Sequence, residues 1–142
     1  MPARMKIRSK WTLLFLGAVL CLSSCGEPDG GSHFIKGCRA EYEFVLPQID
    51  SLSLYDFSLY TSLKNKSVGN EGACFPIIVR WVSPQSEVFS ERVWMSLSEQ
   101  KQLYRKGMLF PRSGEWRMAV YPQEDISGIN GLGISWEKYG TR

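Results

Sequence analysis

The sequence predicts an all-β fold, a single antiparallel β-sandwich of about seven strands with a jelly-roll-like arrangement. Three observations favour this class: short segments alternate apolar and polar residues, turn-forming residues separate these segments, and no long segment has the period of a helix. Because each strand of a sandwich contributes one apolar face, these segments can enclose one shared core. A folded part of roughly 100 residues suits a single domain.

The first 24 residues resemble a lipoprotein signal peptide. Four basic residues precede an apolar run from Trp11 to Leu22, which is too short to span a membrane. The motif Leu22-Ser23-Ser24-Cys25 then resembles a bacterial lipobox, so Cys25 is expected to carry the lipid and to become the mature N-terminus. This interpretation places the protein in the cell envelope, anchored by lipid in the outer membrane. The alternative is an ordinary secretory peptide cut nearby, with Cys25 left as a free thiol.

Residues 25–37 are polar and rich in glycine, which predicts a lipidated cysteine followed by a flexible tether. The sandwich is then expected over residues 38–142. Ser96-Leu97-Ser98-Glu99 has the form of a helix capping box and Gly107 suits the C-terminal position, so a short helix is expected over 97–105. The alternating segments predict strands over 42–46, 55–63, 74–82, 88–97, 115–121 and 131–139.

Alternation also assigns side chains to the two faces of each strand, because successive side chains leave opposite faces. Trp81, Trp116 and Trp136 lie among aliphatic residues, which predicts that they belong to the core. Trp94 is expected to point away from the core side of its strand. The residues expected to be buried on that core side are Phe89, Val93, Met95 and Leu97.

A candidate binding face is formed by aromatic and basic side chains on the polar sides of their strands. Trp and Tyr are common anchors in protein interfaces, and they also form flat platforms for sugar rings. The alternative is that a loop or a helix covers these side chains. The residues of this candidate face are Trp94, Arg92, Tyr60 and Tyr121.

The charge of the mature chain argues against binding to nucleic acid. Without the leader, Lys and Arg fall from 17 to 13, whereas all 14 Asp and Glu remain, so the net charge is 13 − 14 = −1. This balance lacks the basic excess of proteins that bind nucleic acid.

Cys38 and Cys74 are the two cysteines of the expected folded part. In an exported protein they are compatible with a disulfide, and equally with two buried, unpaired thiols. Two thiols and the only histidine, His33, are too few for a four-ligand metal site, so no metal is expected.

The sequence does not predict an enzyme. His33 lies in the expected tether, where a Ser-His-Asp or Cys-His site cannot be held in place. The H-E-x-x-H, phosphate-loop and dinucleotide motifs do not occur, and no cofactor is expected. Glu41 and Glu43 share one face of a strand, as a catalytic acid and base could, but solvated carboxylates are the favoured interpretation.

The C-terminal third resembles the end of the GldH-type gliding-motility lipoproteins of Bacteroidota, in which a Gly-x-aromatic strand leads through a loop to an L-x-G-I-x-D-hydrophobic-G-hydrophobic-R-hydrophobic-E strand. Gly114-Glu115-Trp116 matches the first strand, and Gly131 and Ser135 stand where the family often has Asp and Arg. The matching residues of the last strand and its loop are Ile126, Gly128, Ile129, Leu132, Gly133, Ile134 and Glu137.

The resemblance implies a non-enzymatic, lipid-anchored envelope protein that serves as an accessory or scaffold in a gliding-motility or related secretion assembly. The implied partners are the membrane, through the N-terminal lipid, and other envelope proteins. The alternative interpretation is a lipid-anchored glycan-binding module that uses the face around Trp94.

Overall fold

The computed structural model describes residues 29–64, 73–98 and 100–141, and the expected leader and Cys25 lie outside this part. The described residues contain eight strands and no helix, which confirms the all-β class. The strands are β1 Gly30–Lys36, β2 Tyr42–Ile49, β3 Ser53–Leu63, β4 Cys74–Val82, β5 Val88–Ser96, β6 Gln102–Met108, β7 Gly114–Pro122 and β8 Ile129–Thr141.

The strands form two four-stranded antiparallel sheets that pack face to face. Sheet I has the order β1-β8-β3-β6, and sheet II has the order β2-β7-β4-β5. Successive strands alternate between the sheets, except for β4 and β5, which pair with each other. Eight strands in this order form a jelly roll, so the predicted sandwich and its jelly-roll-like arrangement are confirmed.

The core lies between the sheets and is rich in aromatic rings. The Phe57 ring of β3 lies 5.2 Å from the Trp81 ring of β4 and 5.9 Å from Phe110 in the β6–β7 loop. Phe110 in turn meets Trp116 of β7 at 4.9 Å. Trp81 and Trp116 are buried as expected, whereas Trp136 is only partly buried. These contacts hold the two sheets together by burying large apolar surfaces.

The tether expected over 25–37 is wrong for Gly30–Lys36, which form strand β1. This strand pairs with β8 along its whole length, from Gly30 opposite Glu137 to Lys36 opposite Gly131. The glycines of β1 allow this strand to lie close to β8, because a Cβ on Gly31 would lie 2.5 Å from the Trp136 ring. His33 therefore belongs to a strand, and its ring meets Trp136 edge-on at 5.3 Å.

The helix expected over 97–105 is also wrong, because Gln102–Met108 form strand β6 at the edge of sheet I. The side chain of Gln102 explains the local conformation. Its Oε1 accepts from the Ser96 backbone N–H at 2.9 Å, and its Nε2 donates to the Ser96 carbonyl at 2.6 Å. Ser96 is therefore the end of β5, held against the start of β6, and not a helix cap.

The sandwich has two ends, which differ in the loops that they carry. We call the end at which β1 begins the proximal end; its loops are 50–52, 83–87 and 109–113. We call the opposite end the distal end; it carries loops 37–41 and 123–128 and the connections β3–β4 and β5–β6. Of the candidate residues, Trp94 lies near the distal end of β5, opposite Pro76 at the start of β4.

Candidate interaction surface

The outer face of sheet II brings three of the four predicted site residues together. Strand pairing places Arg92 of β5, Ile78 of β4 and Tyr121 of β7 in one row across the sheet. Trp94 lies one row closer to the distal end, and Arg80 lies one row closer to the proximal end. The outer face therefore presents aromatic, basic and aliphatic side chains on a flat surface.

Trp94 is the most exposed aromatic side chain among the large hydrophobic residues of the described part, with 62% of its surface accessible. The guanidinium of Arg92 lies 5.8 Å from the centre of its ring, within the range of a cation–π contact. Met95, the next residue, is 2% exposed on the opposite face. The predicted orientation of Trp94 is therefore correct, and no loop or strand of the described residues covers its side chain.

Phe89 was expected to be buried on the same strand, and it is 51% exposed. The reason is its position near the proximal end of β5, an edge strand that pairs only with β4. There the inner side of β5 opens onto a groove between the two sheets, which Phe89 and Trp81 help to line. Alternation identified the correct side of the strand, but that side is not covered at this position.

Charges divide the outer face of sheet II into two halves. On the β2–β7 half, Arg117 lies 3.7 Å from Glu43 and 3.2 Å from Glu115. Tyr121 Oη donates to the Glu41 carboxylate at 2.7 Å, and this bond is the main cause that raises the pKa of Tyr121. Glu41 and Glu43 on this half thus each interact with a neighbouring side chain.

On the β4–β5 half, no ion pair joins Arg80 or Arg92 to a carboxylate within the described ranges. The aliphatic side chains of Ile78, Val82 and Val88 lie between and beside these arginines. The β4–β5 half is therefore basic and apolar: Arg80 interacts with the Tyr121 side chain, and neither arginine is paired with a carboxylate of the described part.

Tyr60 does not belong to this surface, although it was assigned to the candidate face. It lies on β3 of sheet I, whose outer face points away from that of sheet II. Its ring stacks on Phe34 with 6.0 Å between centroids, and the pair lies across β8. Alternation could assign Tyr60 to the outside of its strand, but it could not say which sheet contains that strand.

Glycines in β8 make room for this aromatic pair. A Cβ on Gly133 would lie 2.3 Å from the Tyr60 ring, and a Cβ on Gly131 would lie 2.3 Å from the Phe34 ring. Gly131 and Ser135 are on this outer face, opposite Lys36 and Ser32 of β1. At these two positions, where the GldH-type pattern often has Asp and Arg, this chain has a small side chain or none.

A polar cluster that the sequence did not predict joins the open edges of the two sheets. Tyr104 of β6 donates to the Glu91 carboxylate of β5 and accepts from Trp81 Nε1 at 3.2 Å. Arg105 completes an ion pair with Glu91. Burial, reinforced by the Glu91 carboxylate, raises the pKa of Tyr104 well above its ordinary value. The signal for this cluster was Glu91 itself, a carboxylate on the apolar side of its strand.

The two cysteines of the folded part, Cys38 and Cys74, are both exposed, and no disulfide joins them. Cys38 Sγ lies 3.6 Å from the Ile126 carbonyl oxygen, and Cys74 Sγ lies 3.6 Å from Ser96 Oγ. Neither the expected disulfide nor the alternative of two buried thiols is therefore present. The physical reason is that each thiol lies beside a different loop or strand end and has its own polar neighbour.

Within residues 29–64, 73–98 and 100–141, no group of three metal-ligating side chains lies close enough together to hold an ion. None of the described residues forms a helix long and apolar enough to cross a membrane. Comparison of the chain with protein-family models, with curated proteins and with solved structures finds no match.

Proposed function

We propose that this protein is a lipid-anchored cell-envelope protein that binds another envelope protein through the β4–β5 half of sheet II. Its role is that of a non-enzymatic accessory or scaffold in a gliding-motility or related secretion assembly of the outer membrane. The lipobox ending at Cys25 and the GldH-like C-terminal third of the sequence support the location and the assembly. The outer surface of sheet II supports the binding role.

The observation that carries the binding role is the pairing of an exposed Trp94 with Arg92. A tryptophan that leaves 62% of its surface in water loses the benefit of burial unless a partner covers it. Trp and Arg are the residues that contribute most often to the strongest contacts in protein interfaces. Because the nearby arginines have no carboxylate partner in the described part, the matching surface is expected to be acidic with an apolar pocket for the indole.

The chemistry of these side chains suits binding better than catalysis. The guanidinium of an arginine stays protonated at every ordinary pH, and an indole is a donor only. Neither group can act as a general base, so the surface provides recognition through charge, hydrogen bonds and apolar contact.

Pull-down of tagged protein from detergent-solubilised cell envelopes tests the proposal. We expect wild-type protein to retain specific envelope proteins and Trp94→Ala to lose at least about tenfold, because an anchor of this kind contributes about 2 kcal/mol or more to binding. Leu103→Ala is the matched control, since Leu103 is 60% exposed on the outer face of sheet I. Equal retention by wild type and Trp94→Ala would contradict the proposal.

A second candidate, glycan binding, is favoured by the same exposed indole, because sugar rings stack on flat aromatic surfaces. A glycan array separates the two functions. Retention of wild-type protein on defined glycans, lost in Trp94→Ala and without any protein partner in the pull-down, would support the glycan-binding module.

A further inference from the structure

The short chain segment between Cys25 and the sandwich limits how the domain can face a membrane. Strand β1 begins at Gly30, and the carbonyl of Asp29 already accepts from the Lys138 backbone N–H. Only four residue steps separate Cys25 from Asp29. Four steps of extended chain span at most about 14 Å.

The length of this segment determines which end of the sandwich can lie next to a lipid on Cys25. A strand of nine residues, such as β4 or β5, is about 30 Å long. A lipid on Cys25 would therefore hold the proximal end at the membrane, and the distal end lies beyond its reach. Because β8 continues from Lys138 to Thr141, part of the 14 Å is used before the chain clears the proximal end.

The proximal end presents apolar side chains in its loops. Leu52 is 64% exposed and Leu109 is 40% exposed. Their loops are held together by Ser113, whose Oγ accepts from the Ser51 backbone N–H at 2.9 Å and lies 3.0 Å from Ser51 Oγ. Among the large hydrophobic residues exposed in the described part, these two are the ones located in loops, and both are at the proximal end.

Two carboxylates in the loops of the proximal end form ion pairs. Lys138 Nζ lies 3.7 Å from Asp50, and Arg112 Nε lies 3.8 Å from Glu87. Pairing reduces the repulsion that a carboxylate would feel at an anionic lipid surface. Arg112, which is exposed beside Leu109, can also reach lipid phosphate.

We infer that the proximal end rests on the membrane surface, with Leu52 and Leu109 inserted among the lipid headgroups. This inference rests on the proposed lipid anchor at Cys25. The partner is a bilayer, and the apolar loop residues act with the lipid anchor as a second contact that fixes the orientation of the domain.

Spin labels on the full lipidated protein test this orientation. Mass spectrometry of the N-terminal peptide first establishes the lipid on Cys25. Single cysteines are then placed by Leu52→Cys at the proximal end and by Ser127→Cys at the distal end, in a background of Cys38→Ser and Cys74→Ser. The protein is reconstituted in vesicles of phosphatidylethanolamine and phosphatidylglycerol, and the accessibility of each label to oxygen and to a water-soluble nickel chelate is measured.

We expect the ratio of oxygen to nickel accessibility to be several-fold higher for the label at position 52 than for the label at position 127, because oxygen concentrates in the bilayer. Leu109→Cys, in the neighbouring loop, provides a second proximal label if the first variant is unstable. A lipidated protein with equal ratios at both ends would overturn this inference and leave the anchor intact. An unmodified Cys25 would overturn the anchor and this inference together.

Discussion

Trp116 and Trp94 lie in the same sheet, but their side chains are in opposite environments. Trp116 is 1% exposed, its ring packs edge-on against Phe110 at 4.9 Å, and its Nε1 donates to the Arg112 carbonyl at 2.9 Å. We expect Trp116→Ala to lower the free energy of unfolding by about 3 to 5 kcal/mol, because it leaves a large cavity. Trp94→Ala should shift the Tm by only a few degrees, since its ring is largely in water. Urea denaturation of both variants measures the contrast. If Trp94→Ala destabilises as much as Trp116→Ala, Trp94 is part of the core and the binding proposal fails.

Tyr104 is expected to make the stability of the fold decrease at high pH. Its folded pKa lies above its unfolded value of about 10, because its hydroxyl is buried and donates to a carboxylate. Below pH 10 both states keep the proton and the contribution to stability is complete. As pH rises above 10, the unfolded chain loses this proton first, so stability falls.

We therefore expect the Tm to drop steeply between pH 10 and pH 11, and the drop to be smaller in Tyr104→Phe. Tyr139→Phe is the control: its pKa is raised mainly by a hydrogen bond to Asp56, but its side chain is exposed. Thermal unfolding followed at several pH values tests this. The same drop in wild type and Tyr104→Phe would show that the Tyr104–Glu91 contact does not control alkaline stability.

At the scale of the strand, β1 depends on β8 for all of its pairing, and Gly131 is one of the positions where the two strands approach closely. A Cβ on Gly131 would lie 2.5 Å from the Ile35 backbone carbonyl oxygen of β1 and 2.3 Å from the Phe34 ring. A backbone carbonyl cannot avoid this contact by rotating, as a side chain can. Strand β1 would therefore have to shift away from β8.

We expect Gly131→Ala to lower stability by about 1 to 3 kcal/mol and to increase amide hydrogen exchange in β1. Gly128→Ala is the matched control, because a Cβ there meets nothing within 4 Å. Exchange measured by mass spectrometry on β1 peptides gives the result. Unchanged protection of β1 in Gly131→Ala would mean that this strand is not docked as described.

The strands show which parts of the fold the sequence could predict. The alternating strands with one buried face, such as β3 with Tyr55, Phe57 and Leu59 buried, were predicted because burial imposes a period of two. Strand β1 was missed because it is an edge strand of glycines and exposed residues, held by pairing with a distant segment. Strand β6 was missed because Ser96-x-x-Glu99 imitates a helix cap, and only the contact of Gln102 with Ser96 decides between the two.

The sequence predicted the strand face of each candidate site residue, but not the sheet that contains its strand. A period of two placed Trp94, Arg92 and Tyr121 on the outer faces of their strands, and the pairing of β4 with both β5 and β7 brings these strands into one sheet. Tyr60 was wrongly grouped with them because strand order is set by contacts between distant segments. The same lack of long-range information concealed the Tyr104–Glu91 cluster.

At the scale of the whole molecule, the two proposed surfaces are compatible with each other. The jelly roll places the outer face of sheet II along the side of the molecule and the apolar loops at one end. Trp94 is six residues beyond Val88, the first residue of β5 at the proximal end, which places it about 20 Å along the strand from that end. A domain standing on its proximal end would therefore hold Trp94 clear of the lipid, where a partner protein could reach it.

The proposed lipid anchor, on which this orientation depends, is itself open to a direct test. Each buried CH₂ of an acyl chain contributes about 0.8 kcal/mol to membrane binding, so several chains on Cys25 would make release negligible. By contrast, Leu52 and Leu109 alone expose too little apolar surface to hold the domain on a bilayer.

We therefore expect Cys25→Ala to block processing of the leader and to move any protein released without lipid from the detergent phase to the aqueous phase in Triton X-114 partitioning. Ser24→Ala is the matched control, because a small residue before the cysteine is retained, and it should remain in the detergent phase. Partitioning of Cys25→Ala identical to that of Ser24→Ala, with normal processing, would show that Cys25 does not carry the anchor.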